Sequence, residues 1–160
     1  MHGYATFPGI QFVRSADITF SQGISPSRCT LEIAPQPGNI ARTGTLQFIF
    51  GDTTLKFPDC IVDYGSSDFN SSGELWRVYI FDRRYKWAWG QISGSYNHRF
   101  SDGTLKSDTE KTPQELAKLC LAAMGENGGD VTQLPNYVRP LVDWAATPPA
   151  EALAELCDSL

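Results

Sequence analysis

The sequence predicts an α+β protein in which an N-terminal antiparallel β-barrel or sandwich, at residues 1–100, precedes a helix-containing segment at residues 101–160. Between residues 16 and 96, apolar and polar residues alternate in short runs bounded by turn residues, the period of half-buried strands. After residue 100 the apolar spacing becomes that of amphipathic helices. A chain of 160 residues that is 41% hydrophobic can bury a core without disulfides or metal ions.

The strands of the first domain are predicted from these runs. ITF opens the series, and RCTLEIAP follows it with Cys29, Leu31 and Ile33 on one face. GTLQFIF and TTLKFPD flank Gly51-Asp52, a two-residue loop in which glycine supplies the positive φ of a type II′ hairpin turn. CIVDY is predicted as a further strand, before the loop GSSDFNSSGE. Six or seven short strands at this density are typical of a small barrel or sandwich.

WRVYIF and KWAWGQISGSY are predicted to form another strand pair around Asp82-Arg83-Arg84. On WRVYIF, Trp76, Val78 and Ile80 would point to one face and Arg77, Tyr79 and Phe81 to the other. Trp87 and Trp89 would share one face of the second strand. Because WRVYIF is apolar on both faces, we expect it to lie between two layers or at a subunit contact.

Two helices are predicted in the segment 101–160. Thr112, Pro113 and Glu115 form a capping-box start, and Gly125 ends the helix. Its apolar stripe is predicted to contain Leu116, Leu119, Cys120 and Ala123. A second helix is predicted from Thr147, with Leu153, Leu156, Cys157 and Leu160 on one face, and NGGDVTQLPNYVRPLVDWA is predicted as the loop between them. Because the sequence stops within an apolar helical face, we expect a fragment of a longer protein or a very short remaining tail.

The four cysteines, Cys29, Cys60, Cys120 and Cys157, lack the close spacing of zinc or redox sites and lie in apolar patterns. We therefore expect buried free thiols in a protein made in a reducing cytoplasm. Residues 1–12 do not resemble a signal peptide, and no apolar run is long enough for a membrane span.

The sequence carries no catalytic motif, and we expect a protein that is not an enzyme and uses no metal or cofactor. His2 and His98 are the only histidines, and neither has a ligand-like spacing. A pair of carboxylates, as used in glycoside hydrolysis, could also be assembled from a set of five acidic residues. These are Asp59, Asp63, Asp68, Glu74 and Asp82. Asn70-Ser71-Ser72 matches a glycosylation sequon, but without a secretory signal we interpret it as loop.

The most unusual stretch, residues 76–99, holds three tryptophans, three tyrosines and five basic side chains. Cross-strand aromatic packing, with Arg77, Arg83 and Lys86 solvating the rim, is one interpretation. Stacking on sugars and binding to nucleic acid are the others. Residues 74–100 carry a net charge of +3, but the whole chain carries −5 and has a pI near 4.9, which argues against a dedicated nucleic-acid binder.

The order of these segments resembles a known family. LKFPDCIVDYGSSDFNSSGELWRVYIFDRRYKWAWGQISGSYN resembles the first barrel of the tail-hub (baseplate hub or tail tip) proteins of long-tailed phages and related contractile injection machines. In that family a strand ends in Asp-Arg and an aromatic-rich strand follows, places that Asp82-Arg83-Arg84 and Trp87 hold here. The helix TPQELAKLCLAAMGE, the loop RPLVDWAATPP and the helix ALAELCDSL are also similar, so that the resemblance covers residues 46–160.

The resemblance implies a structural, non-enzymatic subunit that joins the tail tube to a spike or fibre. Such hubs form trimers and contact tube, tape-measure and spike or fibre proteins, in the virion tail and, during assembly, in the host cytoplasm. The aromatics would then fill the barrel, and the expected interface residues are Arg77, Arg83, Arg84, Lys86, Trp87 and Trp89. The alternative is a carbohydrate-binding β-module that uses exposed tryptophans.

Overall fold

The computed structural model describes residues 3–69 and 75–160. It divides into two compact units, Met1–Tyr85 and Lys86–Leu160. Antiparallel sheets dominate, and helices follow in the second unit, so the α+β class predicted from the sequence is confirmed. Among the described residues, no helix is both long enough and apolar enough to cross a membrane.

The first unit is a curled six-stranded antiparallel sheet. Its strands are β1 (Gly3–Thr6), β2 (Val13–Thr19), β3 (Arg28–Ile33), β4 (Thr43–Phe50), β5 (Thr53–Val62) and β6 (Trp76–Phe81), arranged in the order β1-β4-β5-β6-β3-β2. The two edge strands, β1 and β2, lie close to each other, but no ladder of hydrogen bonds joins them in the described part of the chain. The predicted barrel is therefore not closed.

The inner face of this sheet carries the first core. Leu31 pairs with Val78 and Cys29 with Ile80, and all four side chains are buried. On the outer face Arg77 is exposed and Tyr79 is half-buried. The alternation predicted for RCTLEIAP and WRVYIF is therefore confirmed, because period-two patterns place successive side chains on opposite faces.

The hairpin at Gly51-Asp52 is also confirmed, since Phe50 pairs with Thr53 and Gly51 has φ +56°. TTLKFPD and CIVDY, however, form one strand rather than two. A bulge lies where the register shifts between Gly44 and Leu46, and Asp59 adopts φ +55° there. The bulge accommodates Pro58, which has no amide to give to the ladder, so the strand continues past a residue that looked like a break.

The predicted pairing of WRVYIF with KWAWGQISGSY is wrong. Residues Arg83–Ala88 form a 3-10 helix, which begins where the Asp82 carboxylate accepts a hydrogen bond from the Arg84 amide at 3.0 Å. Such a bond from an aspartate to the amide two residues later stabilises a turn instead of an extended strand. β7 (Ile92–Tyr96) pairs with β8 (Val142–Thr147) and not with β6.

The strand β8 begins inside the segment predicted as a loop and extends to Thr147. Val142 and Trp144 are buried and alternate with exposed Asp143, the pattern of a strand with one buried face. The glycines and prolines upstream concealed this short run from the sequence interpretation.

The first predicted helix is confirmed as α1 (Pro113–Met124). Thr112 and Glu115 form the capping box, with the Glu115 amide 3.2 Å from Thr112 Oγ1, and Gly125 ends the helix at φ +78°. Leu116 and Cys120 are fully buried and Leu119 is half-buried, as expected of the stripe. The stripe was wrong at Ala123, which is exposed, while Met124 is buried beside it.

The second helix, α2, runs over Pro149–Asp158, and no side chain caps its start at Pro148. The predicted cap Thr147 instead ends β8. The buried face consists of Ala150, Ala152 and Leu156, whereas Cys157 and Leu160 are exposed, so the predicted face was wrong at those two positions. The small alanines pack where the sequence pattern had favoured the larger side chains.

A buried asparagine joins three segments of the second unit. Asn97, only 1% exposed, adopts φ +58°. Its Nδ2 donates to the carbonyl oxygens of Lys111 (3.0 Å) and Pro140 (2.8 Å), and its Oδ1 accepts from the Lys111 amide (2.8 Å). Every side-chain polar atom is used, which is what makes a buried asparagine favourable.

All four cysteines are free, as predicted. Cys29, Cys60 and Cys120 are buried, and burial raises the pKa of the Cys29 thiol to about 12 and those of Cys60 and Cys120 to about 11. Cys157 is exposed, so the prediction of four buried thiols was wrong at that position.

Candidate functional site

The six residues predicted for an interface are divided between the two units. Arg77, Arg83 and Arg84 belong to Met1–Tyr85, whereas Lys86, Trp87 and Trp89 belong to Lys86–Leu160. Arg77, Arg83, Lys86 and Trp89 are exposed, and the other two are partly buried. Four of the six predicted interface residues are therefore accessible to a partner, and Arg84 and Trp87 are less so.

Arg84 holds together the loop between β2 and β3. Its guanidinium donates to Asp82 Oδ2 (2.7 Å), to Ser27 Oγ (2.8 Å) and to the carbonyl oxygens of Ser21 (3.0 Å) and Gly23 (2.8 Å). Asp82 in turn accepts from the Ser27 amide at 2.9 Å. We call these five residues the Arg84 clamp. The donors that a partner would use are already engaged within the unit.

The Asp82 carboxylate is kept ionised by this clamp. Partial burial alone would raise its pKa, but hydrogen bonds from Arg84 and from the Ser27 amide outweigh that effect and hold the pKa below its usual value. The pair is therefore charged at neutral pH, which strengthens its hydrogen bonds.

The two tryptophans do not form a common platform. Trp87 Nε1 donates to Glu126 Oε1 at 3.0 Å, and its ring packs on the core of the second unit. Trp89 is 55% exposed. The 3-10 helix removes the strand geometry that would have placed both rings on one face.

The outer face of β2, β3 and β6 is a polar depression of about 300 Å³. Arg77 Nε lies 3.4 Å from Glu32 Oε1, and the Arg28 guanidinium lies over the Tyr79 ring, 5.4 Å from its centre. Hydrogen bonds from Ser15 and Arg77 lower the pKa of Glu32. Opposite charges thus meet within the sheet, and this face has the character of a solvated surface.

An apolar groove of about 370 Å³, hereafter the inner groove, lies on the opposite face between β1, β2 and the β4–β5 hairpin. It is lined by Tyr4, Ala5, Val13, Arg14, Ser15, Ala16, Ile18, Phe20, Phe48, Phe50, Leu55 and Phe57. Four of its large side chains remain exposed: Tyr4 (59%), Phe20 (64%), Phe50 (44%) and Leu55 (48%). The sequence analysis did not identify this surface.

The register of the hairpin explains why these apolar side chains meet. Phe48 lies opposite Leu55 and Leu46 opposite Phe57, so their side chains share the inner face. The rings of Phe48 and Phe50 are stacked with centroids 6.4 Å apart, and those of Phe20 and Phe57 lie 5.8 Å apart. Because β1 and β2 do not pair in the described part of the chain, none of the described strands covers the inner face between them.

A signal for the groove was present in the sequence. Alternating apolar residues continue into both strands beside the Gly51-Asp52 turn, where a solvated hairpin tip would carry polar ones. Phe50 and Leu55 break that expectation. The edge strand β1 gave no clear pattern, since only four residues form it.

Two of the acidic residues considered for catalysis, Asp63 and Asp82, accept hydrogen bonds from other residues of the first unit. Asp63 accepts from Ser66 Oγ (2.6 Å) and from the Gly65 amide (3.0 Å), and the bond from Ser66 lowers its pKa despite some burial. Asp59 is exposed at the bulge, and Asp68 bridges to Arg77 through the backbone. His2, Glu74 and Asn70-Ser71-Ser72 lie outside the described residues.

Within residues 3–69 and 75–160, no cluster of three or more His, Cys, Asp or Glu side chains is placed to hold a metal ion. The backbone amide of His98 donates a hydrogen bond to Thr109 Oγ1 at 3.1 Å. The inner groove is therefore the candidate site with the clearest chemical character.

No protein-family model matches the chain, and the search of curated proteins found no significant match.

Proposed function

We propose that the chain is a non-enzymatic structural subunit of a phage-type tail tip, a hub that joins the tail tube to a spike or fibres and assembles as a trimer. The resemblance in segment order supports this proposal. The observation that carries it is the inner groove, an apolar surface bordered by the edges of β1 and β2, which no ladder joins within the described residues. Apolar patches of this kind are typical of surfaces that another protein covers.

The free energy available from covering the groove indicates how large an interface is needed. Covering a half-exposed large apolar side chain stabilises a complex by about 1 kcal/mol, half the value for full burial. The four exposed side chains of the groove would therefore contribute about 4 kcal/mol, which only reaches the lower limit of the entropic cost of association. A partner must make further contacts outside the groove, as neighbouring subunits of an assembly do.

Exposed cations can supply part of those contacts. Arg83 and Lys86 are exposed in a chain whose net charge is −5, whereas Arg77 lies on the outer face with its Nε 3.4 Å from Glu32 Oε1. Cations at the rim of an interface orient partners and speed their association more than they strengthen it, and salt screens them. Arg84 is not part of this group, because the clamp already uses its guanidinium.

The proposal is tested by the oligomeric state of the chain, alone and mixed with tail-tube and spike proteins, using mass photometry and electron microscopy. We expect rings or trimers that Leu55→Glu weakens. Thr54→Glu is the matched control, since this exposed neighbour on β5 points to the other face. A chain that stays monomeric with its partners at high concentration would refute the proposal, as would equal assembly of both variants.

A carbohydrate-binding module remains the second candidate because Trp89 exposes its ring. Trp87 does not join it, which leaves one stacking residue in place of a row. Glycan-array binding that disappears in Trp89→Ala would favour this candidate over the structural one.

A further inference from the structure

We propose that the inner groove receives an extended segment of a partner protein, which adds a strand to the free edge of β2, places alternate apolar side chains in the groove, and meets Arg14 with an acidic residue. This inference rests on the proposed assembly function and specifies its partner. Three features support it: the main chain of β2, the pleat of the sheet, and the charge at the groove.

The main chain of β2 offers an unused edge. In the described part of the chain, β2 pairs only with β3, so alternate amides and carbonyls of Val13–Thr19 point away from the sheet. β1 lies beside part of this edge, but within residues 3–69 and 75–160 no ladder joins the two strands, and the four residues of β1 cannot cover all seven of β2. An unpaired edge of this kind is a template for another strand.

The pleat of the sheet directs the side chains of an added strand. Ala16 and Ile18 face inward, since they lie opposite buried Leu31 and Cys29. Residues of an added strand that stand beside them would share the inner face and lie over Phe48 and Phe57. Every second residue of the partner must then be apolar, because strands alternate their faces.

The charge at the groove selects among such strands. Arg14 is the one charged side chain among the described residues that line it, and it lies at the register shift between Val13 and Ser15. Glu32, the carboxylate on which its charge acts, already accepts hydrogen bonds from Ser15 and Arg77. Asp17 lines the polar depression on the other face. An acidic residue on the partner is therefore complementary, and a basic one is disfavoured.

The test starts from a library of random ten-residue peptides displayed on a surface, from which peptides that bind the full chain are selected. The enriched peptide is then synthesised with a fluorescent label for anisotropy titrations. We expect apolar residues at alternate positions with an acidic residue among them. Leu55→Glu and Phe20→Glu, both at exposed positions, should each weaken binding at least about tenfold, and Arg14→Glu about tenfold. Thr54→Glu and Lys56→Glu, on the opposite face of β5, should leave binding unchanged.

Amide hydrogen exchange distinguishes strand addition from simple filling of the groove. With the peptide bound, alternate amides of Val13–Thr19 should exchange at least about tenfold more slowly, because they gain hydrogen bonds. Circular dichroism of each variant checks that the sheet is intact, and two separate groove variants guard against one that fails to fold.

Several results would overturn the inference. The first three are enriched peptides with apolar residues at helical spacing, peptide affinity that the groove variants leave unchanged, and unchanged amide exchange in β2. A fourth, in a control titration with dodecanoate, is binding of this fatty acid but of no peptide, which would identify a lipid chain as the occupant. A fifth is protection of β2 amides that grows with protein concentration in the absence of peptide, which would identify a second copy as the occupant. If any of these occurs while groove-sensitive assembly with tail proteins persists, the proposed function stands and the strand inference fails. Groove-sensitive peptide binding without any assembly would instead support strand addition and refute the tail-tip function.

Discussion

Replacing Arg84 with alanine tests whether this side chain serves the fold or a partner. The substitution removes the hydrogen bonds to Asp82, Ser27, Ser21 and Gly23. Water can replace the guanidinium at the exposed carbonyl of Gly23, so the loss at the partly buried Asp82 dominates. A hydrogen bond between charged groups contributes about 1.5–3 kcal/mol, and we expect Arg84→Ala to lower the free energy of unfolding by about 2–3 kcal/mol.

The assay is urea unfolding at pH 7, followed by circular dichroism. Arg84→Lys keeps the charge but not the planar fork, and we expect it to lose about 1 kcal/mol. Lys86→Ala is the control, because an exposed cation on the same 3-10 helix should change stability by less than about 0.5 kcal/mol.

The pH dependence of the same variants gives an independent measurement. Since the folded-state pKa of Asp82 lies below its unfolded value, the clamp stabilises the fold above the unfolded pKa, and this contribution is lost as pH falls through the folded one. The difference between wild type and Arg84→Ala should therefore shrink below about pH 4. If Arg84→Ala unfolds like wild type at pH 7 but loses partner binding, the interface interpretation of Arg84 is right and the clamp is not.

Three further predictions concern the second unit. Asn97→Ala should lower the free energy of unfolding by about 3 kcal/mol, and Asn97→Gly by about 1 kcal/mol less, because glycine tolerates φ +58°; equal urea midpoints for the two variants would rule out backbone strain. Thr112→Ala should cost about 1 kcal/mol through loss of the cap, and an unchanged midpoint would speak against it. A thiol reagent should label Cys157 rapidly and the buried Cys120 only on unfolding; rapid native labelling of Cys120 would contradict the packing of α1.

Local signals made part of this fold predictable. The capping box at Thr112 and the turn at Gly51 each depend on residues within a few positions of one another, and both occur as expected. The alternation along β3 and β6 likewise reports burial directly. Such features can be read from sequence because the physical cause and its effect lie in the same short segment.

The features that escaped prediction depend on distant partners. Residues Val142–Thr147 form a strand because they pair with β7, and no local sequence pattern indicates that pairing. The Asp82 carboxylate accepts a hydrogen bond from the Arg84 amide, and this local bond ends the extended strand. It competes with the strand propensity of the aromatic residues that follow, on which the sequence prediction relied. The inner groove lies between β1 and β2, the first and last strands in the order of the sheet, which no ladder joins in the described part of the chain.

The pairing of β7 with β8 has a consequence for the order of events during synthesis. The six strands of the first unit are complete once residue 81 has left the ribosome, so that unit can fold while the remainder is translated. Tyr96, by contrast, must wait for Val142, its partner in the ladder. At about 5–20 residues per second, β7 is without its neighbour for several seconds. During that interval the Asn97 side chain can bond to Lys111 and its amide to Thr109, and the bond from Nδ2 to the Pro140 carbonyl forms when the later segment arrives. Slowing translation between residues 97 and 140 should therefore prolong the exposure of a single β-edge and favour aggregation of the nascent chain.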